Sequence, residues 1–261
     1  PETIQNLARF EMNLSSSGQM AILDRLRSAK KIVFFTGAGV SAESGIPTFR
    51  DASNSLWANV DPMAVASIAG FNQDPERVWA WHDEMRKLFS GARPNAGHAA
   101  IAELEALLQP ATVQVITQNI DGFHQEAGSS WVLEIHGAAR RVRCHRRCGY
   151  VIPWEDDTPH QCPACAAPLR PDVVWFGEAL DEALFALAQE AAENADVFFI
   201  VGASGIVYPA AGLVDTAKYA GAMVVEVNPG ETPYTRIADY SVRTSSSEFF
   251  PSLCVALKKM R

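Results

Sequence analysis

The chain has 261 residues, of which 48% are hydrophobic and 20% are charged, and this balance excludes a disordered protein. Its length is enough for one large domain, or for one domain that carries an inserted module. The formal net charge is −8 and no long basic run occurs, which argues against nucleic acid as a partner. No apolar run reaches the ~18 residues of a membrane span, so we expect no membrane partner either.

The first part of the chain predicts a helix, a buried strand and a sharp turn. Apolar side chains recur at helical spacing in residues 19–29, and residues 31–35 form a short apolar run rich in strand formers. Gly37 and Gly39 then allow the backbone to turn sharply before a helix starts near Val40. A strand, a glycine turn and a helix start can form a phosphate site, although the Gly-x-Gly spacing alone fits a tight turn that binds nothing equally well.

The next part predicts a group of helices. The dipeptides Asp61-Pro62 and Asp74-Pro75 indicate helix starts, with Asp as the N-cap and Pro in the first turn. The second opens a helix over residues 75–90 with a broad aromatic face, and another helix is expected over residues 99–108. We therefore predict that residues 45–94 form a helical lobe inserted after the glycine turn.

Strands alternate with helices along the rest of the chain. Strands are predicted at residues 112–116, 131–135, 195–201 and 222–227. Helices are predicted at residues 122–127, 181–192, 209–220 and 246–259. This alternation predicts an α/β fold with a doubly wound, parallel, Rossmann-like sheet. We assign residues 19–44, 95–138 and 172–261 to this domain, and a small domain to the helical insertion together with a metal module at residues 139–171.

Four of the five cysteines are clustered, and the fifth is distant. The clustered residues are Cys144, Cys148, Cys162 and Cys165, and the distant one is Cys254. An odd count with one tight cluster indicates a metal site in a reducing compartment, so we expect a cytoplasmic protein. Four thiolates suit a closed, structural Zn²⁺ site. Three residues separate the first pair and two separate the second, so the pairs are not equivalent. His145 or His160 stay open as ligands, and four unligated thiols stay the alternative.

Polar side chains follow the predicted strands at their carboxyl ends, where doubly wound sheets bind ligands. These clusters lie at residues 36–41, 117–121, 136–137, 202–204 and at Asn228. We expect them to meet at one edge of the sheet. His136 is the best candidate for a general base, because it directly follows a strand and imidazole titrates near neutral pH. His98, at a helix start, and His124, within a helix, are expected to be structural.

Several motifs resemble the signature of the sirtuins, the NAD-dependent protein lysine deacylases, of the bacterial type. The motifs are Gly37-Ala38-Gly39-Val40-Ser41 through Arg50-Asp51, Gln118-Asn119-Ile120-Asp121, Ile135-His136-Gly137, the two Cys pairs, Phe176-Gly177-Glu178, Gly202-Ala203-Ser204 and Val227-Asn228. They follow in the family's order and span most of the chain. The resemblance implies NAD as a co-substrate, bound Zn²⁺, and acyl-lysine proteins or peptides as substrates.

The resemblance also implies roles for individual residues. Cofactor contacts are implied for Gly37, Ala38, Gly39, Ser41, Ala42, Pro47, Phe49, Arg50, Gln118, Asn119, Ile120, Asp121, Gly202, Ser204 and Asn228. Substrate contacts are implied for His82, Met85, Val174, Trp175, Phe176, Gly177 and Glu178. His136, Asn119 and Asp121 are implied to be catalytic, and the four clustered cysteines to hold Zn²⁺.

In the implied reaction the acyl-lysine oxygen attacks the nicotinamide ribose of NAD⁺, and His136 activates a ribose hydroxyl. The products are lysine, nicotinamide and O-acyl-ADP-ribose. The alternatives are mono-ADP-ribosyl transfer to protein, hydrolysis of NAD⁺ and, from another class, a non-catalytic NAD-binding scaffold. The intact base and residues 176–178 favour deacylation.

The sequence also bears on the choice of acyl group. Residues 42–44 and 170–178 resemble the desuccinylase branch of the family, which carries a Tyr and, three residues later, an Arg on the last helix of the lobe. Those positions hold His82 and Met85 here, on one helix face. Met suits a short aliphatic acyl group and cannot pair with a carboxylate. We expect a preference for acetyl or other neutral groups over succinyl, unless Arg86 reaches the site or His82 is protonated.

Overall fold

The structure, a computed structural model, describes residues 15–48 and 60–260. Phe49 and Arg50, two of the expected cofactor contacts, lie outside the described residues. The strands are β1 (Lys31–Thr36), β2 (Thr112–Thr117), β3 (Val132–Glu134), β4 (Gly137–Cys144), β5 (Val151–Pro153), β6 (Leu169–Val173), β7 (Val197–Val201), β8 (Met223–Val227) and β9 (Tyr240–Val242). The helices are α1 (Ser16–Ser28), α2 (Pro62–Val65), α3 (Ile68–Gln73), α4 (Pro75–Gly91), α5 (Ala96–Leu107), α6 (Phe123–Glu126), α7 (Glu182–Glu193), α8 (Gly212–Tyr219) and α9 (Ser246–Lys259).

Six strands form a parallel sheet in the order β3-β2-β1-β7-β8-β9. β1 is central, and its Phe34 pairs with Val115 of β2 on one side and with Phe199 of β7 on the other. The strand order proceeds outward from β1 in both directions, which is the doubly wound, Rossmann-like arrangement. The predicted fold class is therefore confirmed. The short edge strand β9 was not predicted.

Both faces of this sheet are buried, because adjacent residues of each strand point to opposite faces. On one face Phe34 stacks on Phe199, with 4.9 Å between ring centroids, beneath α1, α5 and α9. On the other face Phe35 lies against Phe198, with 6.1 Å between centroids, beneath α7 and α8. Central strands covered on both sides need unbroken apolar runs, and those runs are the signal that predicted them.

Most helices begin where the sequence places capping residues. The Asp61 and Asp74 carboxylates each accept a backbone N–H of the following turn, so both predicted Asp-Pro helix starts are confirmed. α5 begins earlier than predicted, because Asn95 and His98 form a capping box. The glycine turn leads into a 3₁₀ helix over Ala38–Ser44 and not into an α-helix. Among residues 15–48 and 60–260, no helix is long and apolar enough to cross a bilayer.

A second, antiparallel sheet of three strands, β5-β4-β6, was not predicted. β4 is rich in arginine and therefore resembles a polar loop in sequence. Its Ala139, Val142 and Cys144 nevertheless enter a core that they share with α2, α3 and α4. The metal module and the helical lobe, which were predicted to form one small domain together, are thus packed on one hydrophobic cluster.

Asp196 ties the start of β1 to the turn before β7. Its carboxylate accepts the backbone N–H groups of Lys30 and Lys31 at 2.7 and 3.0 Å, and Arg25 of α1 donates to it at 3.1 Å. Partial burial would raise the pKa of this carboxyl, but the two N–H groups and the charge of Arg25 outweigh it and hold the pKa below its usual value. The folded state therefore favours the charged carboxylate.

Replacing Asp196 with Ala should lower the free energy of unfolding by about 1–3 kcal/mol at neutral pH, because charge-assisted hydrogen bonds are lost. The pKa is lower in the folded than in the unfolded state. The contribution is therefore present above the unfolded pKa of about 3.9 and is lost as the pH falls through the folded value. Urea unfolding at neutral and acidic pH measures both effects. The exposed Asp24→Ala on α1 is the control, and equal stability of the two variants at neutral pH would contradict the prediction.

Candidate functional site

The carboxyl ends of the parallel strands bring the predicted polar clusters to one edge of the large sheet. β1, β2, β7 and β8 run in the same direction, so the residues that follow them meet. The Asn119 amide, after β2, donates to the Gly37 carbonyl at 3.1 Å. The Asn228 amide, after β8, donates to the Ala203 carbonyl at 3.2 Å. Four loops that are distant in sequence thus form one continuous surface.

The glycine turn after β1 lies directly against the turn after β7. The Gly39 N–H donates to the Gly202 carbonyl at 2.9 Å, and a Cβ on Gly39 would lie only 2.7 Å from the Gly202 Cα. A Cβ on Gly37 would lie 2.8 Å from the Ala203 Cα. Glycine is required for this approach, which leaves Gly39 and Ala42 exposed at the sheet edge. A glycine turn at the end of a strand, whose backbone is not covered by large side chains, fits the pyrophosphate of a dinucleotide.

Ser41, Asn119 and Asp121 form a buried hydrogen-bond network beneath this turn. The Ser41 hydroxyl donates to the Asp121 carboxylate at 2.7 Å and accepts from the Asn119 amide at 3.2 Å. The Phe123 backbone N–H donates to the other Asp121 oxygen at 2.9 Å. Burial raises the pKa of Asp121, although both of these donors oppose the shift. The network fixes the loop after β2 against the glycine turn and so joins three of the expected cofactor contacts.

His136 lies in the turn between β3 and β4, where the chain passes from the large sheet to the small one. Its Nδ1 is 3.0 Å from the Gln118 carbonyl oxygen, which can only accept, so Nδ1 carries the proton and Nε2 has the free lone pair. Burial lowers the pKa of the ring, with the hydrogen bond to Gln118 opposing it. Gly137 has φ of 84°, and a Cβ there would lie 2.0 Å from the Asp172 carbonyl oxygen. The turn therefore holds a neutral imidazole in a fixed place.

His98 and His124 are buried behind the glycine turn, and His98 Nε2 lies 3.5 Å from the Ser41 hydroxyl. His124 Nε2 is 3.0 Å from the Thr36 hydroxyl. His98 Nδ1 accepts the Asn95 backbone N–H at 3.3 Å in the capping box of α5. Burial lowers the pKa of both rings, to about 4 for His98. These contacts agree with the structural role expected for both residues.

The segment from Val174 to Glu178 connects the small sheet to α7 and contacts both the base and the lobe. The Val174 N–H donates to the His136 carbonyl, and the Phe176 N–H donates to the Ala66 carbonyl, both at 2.9 Å. Phe176 is 45% exposed, whereas its neighbour Trp175 is buried. The predicted substrate segment is thus pinned beside His136 and presents an aromatic ring to solvent.

Arg170 was missed as a site residue by the sequence reasoning. Its side chain is 1% exposed, and its two terminal nitrogens donate to the two Glu178 oxygens at 2.9 Å each. Its guanidinium carbon lies 3.2 Å from the centroid of the Trp175 ring. Burial lowers the pKa of Arg170 to about 10, with Glu178 opposing the shift. The Glu178 carboxylate, expected to contact substrate, is therefore engaged within the protein. β6 has the mixed polar and apolar sequence Leu-Arg-Pro-Asp-Val, so its pattern did not mark this arginine as buried.

His82 and Met85 are both buried on α4, as their shared face predicts. His82 Nδ1 is 2.9 Å from the Val78 carbonyl, and its Nε2 accepts the Trp175 indole N–H at 3.1 Å. Burial lowers the pKa of His82 to about 4, although the hydrogen bond to Val78 opposes it. With Nδ1 on the Val78 carbonyl and Nε2 accepting from Trp175, this arrangement fits a neutral His82, which supplies no charge.

Arg86 on the same helix is turned away from Met85 by two carboxylates. It donates to Asp83 at 2.9 Å and to Asp156 at 2.6 Å, and its guanidinium lies over the Trp154 ring at 5.3 Å. The idea that a one-residue shift brings Arg86 into the site is wrong, because these contacts hold it on the side of the metal module.

The loop after β8 is held by the buried Glu226, which the sequence analysis did not identify as a structural residue. Glu226 is fully buried, accepts from the Thr232 hydroxyl at 2.5 Å, and pairs with Arg243 at 2.9 Å. Arg243 also donates to the carbonyls of Asn228 and Gly230 at 3.3 and 2.9 Å. A glutamate within the otherwise apolar strand β8 was the sequence signal for this buried ion pair. This pair orders the loop that carries Asn228, beside the turn of Gly202 and Ser204.

The four clustered cysteines converge as predicted. Their sulfurs all lie within 4.8 Å of one another, with Cys144–Cys165 at 3.4 Å and Cys148–Cys162 at 3.6 Å. Zn–S bonds of about 2.3 Å in a tetrahedron place sulfurs about 3.8 Å apart, so the donor set fits Zn²⁺. His145 and His160, the alternative ligands, instead lie against the rings of Phe71 and Trp79. All five cysteines lie within the described residues, and none forms a disulfide.

Comparisons with known proteins agree with this geometry. The sequence profile of the Sir2 family matches residues 37–209. A Mycobacterium tuberculosis protein named NAD-dependent protein deacylase is 46% identical over 233 residues, which cover 85% of this chain and 96% of that protein. A solved Sir2 homolog–NAD complex has a TM-score of 0.84 at 41% identity and covers 92% of this chain and 94% of its own.

A solved structure of Sir2 bound to acetylated peptide is similar as well, with a TM-score of 0.77 at 33% identity. It covers 90% of this chain and 96% of its own. The profile match extends over more than half of the chain, and the relatives align along most of it. The protein therefore belongs to the Sir2 family, the sirtuins, as its motifs predicted.

Proposed function

We propose that this protein is an NAD-dependent protein lysine deacylase that releases nicotinamide and O-acyl-ADP-ribose. The observation that carries the proposal is the position of His136, whose ring is held by the cofactor loop at Gln118 and whose carbonyl is held by the substrate segment at Val174. One residue thus connects the two halves of the site. The name of the M. tuberculosis relative and the Sir2 structure with acetylated peptide support acyl-lysine proteins or peptides as substrates.

NAD would lie along the carboxyl edge of the large sheet. Its pyrophosphate would lie at residues 37–42, its adenosine half at residues 202–204 and Asn228, and its nicotinamide half at residues 118–121. When bound, NAD supplies an electrophilic ribose carbon from which nicotinamide leaves. Asn119 and Asp121 would orient that half, because the Ser41 network fixes both side chains. Pro47, Phe49 and Arg50 are proposed as further contacts from the segment after the glycine turn.

His136 acts as the general base in this arrangement. Its Nε2 would take the proton of a ribose hydroxyl while its Nδ1–H remains on the Gln118 carbonyl, which stabilises the cationic ring. Since burial lowers the pKa of His136, the ring is neutral before the reaction and returns the proton readily afterwards. The hydrogen bond to Gln118 also prevents the ring from turning, so the free nitrogen keeps one direction.

The acyl chain is proposed to lie beside Met85 and the substrate segment, and the charges around it favour a neutral group. His82 is neutral, Arg86 is taken by Asp83 and Asp156, and Arg170 is taken by Glu178. A succinyl carboxylate would therefore be desolvated without a cation, at a cost of several kcal/mol. We propose acetyl or another neutral short-chain acyl group as the preferred substrate.

Three other functions would use the same cofactor edge. ADP-ribosyl transfer to protein, or hydrolysis of NAD, needs neither a base held beside the substrate segment nor that segment itself. A non-catalytic NAD-binding scaffold needs no base at all. The neutral, oriented imidazole of His136 beside Val174 favours deacylation over all three. Mass spectrometry of the products separates them, because deacylation alone yields O-acyl-ADP-ribose.

We also propose a division into two domains and a structural role for Zn²⁺. Residues 19–44, 95–138 and 172–261 form the large domain, and residues 45–94 and 139–171 form the small one. Zn²⁺ held by the four cysteines would close the loops between the strands of the small sheet. Cys144 ends β4, and the backbone of Cys162 pairs with that of Ala167 shortly before β6.

The His136→Ala variant should lose about 10²- to 10⁴-fold in kcat, while NAD binding is retained. Because the pKa of His136 lies below the usual value of 6.5, the wild-type rate should persist below that pH and fall as the pH drops through the lowered pKa. Steady-state assays across pH and calorimetric titration with NAD measure these effects. His160→Ala, in the metal module, is the control. Near-normal turnover of folded His136→Ala would show that another group removes the proton.

Acetyl peptide should exceed a matched succinyl peptide by roughly 100-fold in kcat/KM, since the succinyl carboxylate lacks a partner. Met85→Arg should raise succinyl relative to acetyl activity, whereas Met85→Leu, which adds no charge, should keep the wild-type order. Equal or higher succinyl activity of the wild type would refute the proposed preference.

Elemental analysis of protein purified without chelators should find one zinc per chain. Removing the metal, or changing Cys148→Ser, should lower Tm, because metal binding and folding of the module are linked. Cys254→Ala, in the core beside α5, should keep its zinc. A wild-type protein that lacks zinc would disprove the assigned site.

A further inference from the structure

A buried hydrogen bond joins α4 to the substrate segment and has no part in the proposed reaction. The Trp175 indole N–H donates to His82 Nε2 at 3.1 Å, and His82 Nδ1 lies 2.9 Å from the Val78 carbonyl. The two side chains are only 2% and 3% exposed. A carbonyl can only accept and an indole can only donate, so these partners fix a single neutral tautomer of His82.

Trp175 is the buried aromatic side chain of the substrate segment, and it contacts several neighbours. The guanidinium of Arg170 covers its ring at 3.2 Å, and the Phe71 ring lies against it with 5.3 Å between centroids. Its backbone N–H donates to Glu178 at 2.9 Å. The indole nitrogen is the only polar atom of this side chain, and His82 is its acceptor. Without that acceptor a buried donor would be left unpaired, and the ring would lose the contact that sets its orientation.

We propose that His82 is a positioning residue of the acyl-peptide site, which holds Trp175 and through it the neighbouring Val174 and Phe176. This rests on the proposed deacylase function and corrects the expectation that His82 contacts the substrate directly. Both nitrogens of its ring are occupied by Val78 and Trp175, so its polar atoms have no capacity left for an acyl group.

The position of the His82–Trp175 hydrogen bond predicts different effects on binding of the acyl peptide and of NAD. The bond connects α4 of the lobe to the segment proposed to bind the acyl peptide, whereas the proposed cofactor contacts lie at the edge of the large sheet. Loss of the bond should therefore loosen Val174 and Phe176 and weaken binding of the peptide, and binding of NAD should stay unchanged.

A double-mutant cycle tests the proposal with acetyl peptide as the probe. His82→Leu removes the acceptor and Trp175→Phe removes the donor. Each should raise KM for the peptide about 5- to 30-fold and leave KM for NAD unchanged. The peptide KM of the double variant should not exceed that of the more impaired single variant, because no buried polar atom is then left unpaired. His82→Gln, whose amide oxygen can accept from the indole, should recover most of the loss.

The matched control is Trp79→Phe, which likewise removes one buried indole, in this case from α4. Trp79 packs on Trp154 and His160 of the metal module, so this variant should keep the wild-type KM for the peptide. An unchanged peptide KM in His82→Leu, a parallel rise in both KM values, or effects that multiply in the double variant would each overturn the proposal.

A second measurement depends neither on activity nor on the folding of His82→Leu. In ¹⁵N-labelled wild-type protein, the Trp175 indole proton should exchange slowly with solvent, and His82 Nε2 should carry no proton. A rapidly exchanging indole proton or a protonated Nε2 would overturn the proposal even in an active deacylase. A protected proton in a protein that does not deacylate would support the contact and count against the proposed function alone.

Discussion

The buried ion pair between Arg170 and Glu178 is the interaction on which the segment proposed to bind substrate depends. Two charges taken out of water are stable only when hydrogen bonds satisfy the remaining atoms. Here Arg170 also donates to the Val173 carbonyl at 2.6 Å, and Glu178 also accepts the Trp175 N–H at 2.9 Å. Burial alone would raise the pKa of Glu178, but Arg170 reverses the shift and keeps the carboxylate charged. The pair thus folds the segment back on itself and places an aromatic ring between the lobe and the sheet.

His136, the proposed general base, lies where the two sheets join. β3 ends the large sheet on one side, and β4 pairs with β6 of the small sheet from Gly137 onward. His136 lies between them, and Gly137 is paired with Val173, the residue before the proposed substrate segment. Backbone hydrogen bonds from both sheets therefore set the position of the ring, which is a more rigid support than a long loop would give.

The sequence predicted those parts of the fold that are determined by local patterns. Apolar runs marked the central strands, Asp-Pro pairs marked the helix starts, and the cysteine spacing marked the metal site. β4 and the sheet around it were missed, because a strand with arginines on its outer face has the composition of a loop. The roles of Arg170 and His82 could not be predicted for another reason. Only the three-dimensional fold brings Arg170 to Glu178 and His82 to Trp175. A pattern of burial does not reveal which distant polar atoms will meet.

The central place of β1 has a consequence for how the chain acquires its structure. Ile32 pairs with Val113 on one side and with Val197 on the other, so β1 is complete only after β7 has been made. Parallel pairing over such separations slows folding, because the entropy of closing the long loops is lost before the strand contacts form and stabilise the chain. Until then the apolar strand has an open edge to which another chain can add. We therefore expect fragments that end before β7 to aggregate more readily than the full chain, because residues 31–36 then lack a partner on one side.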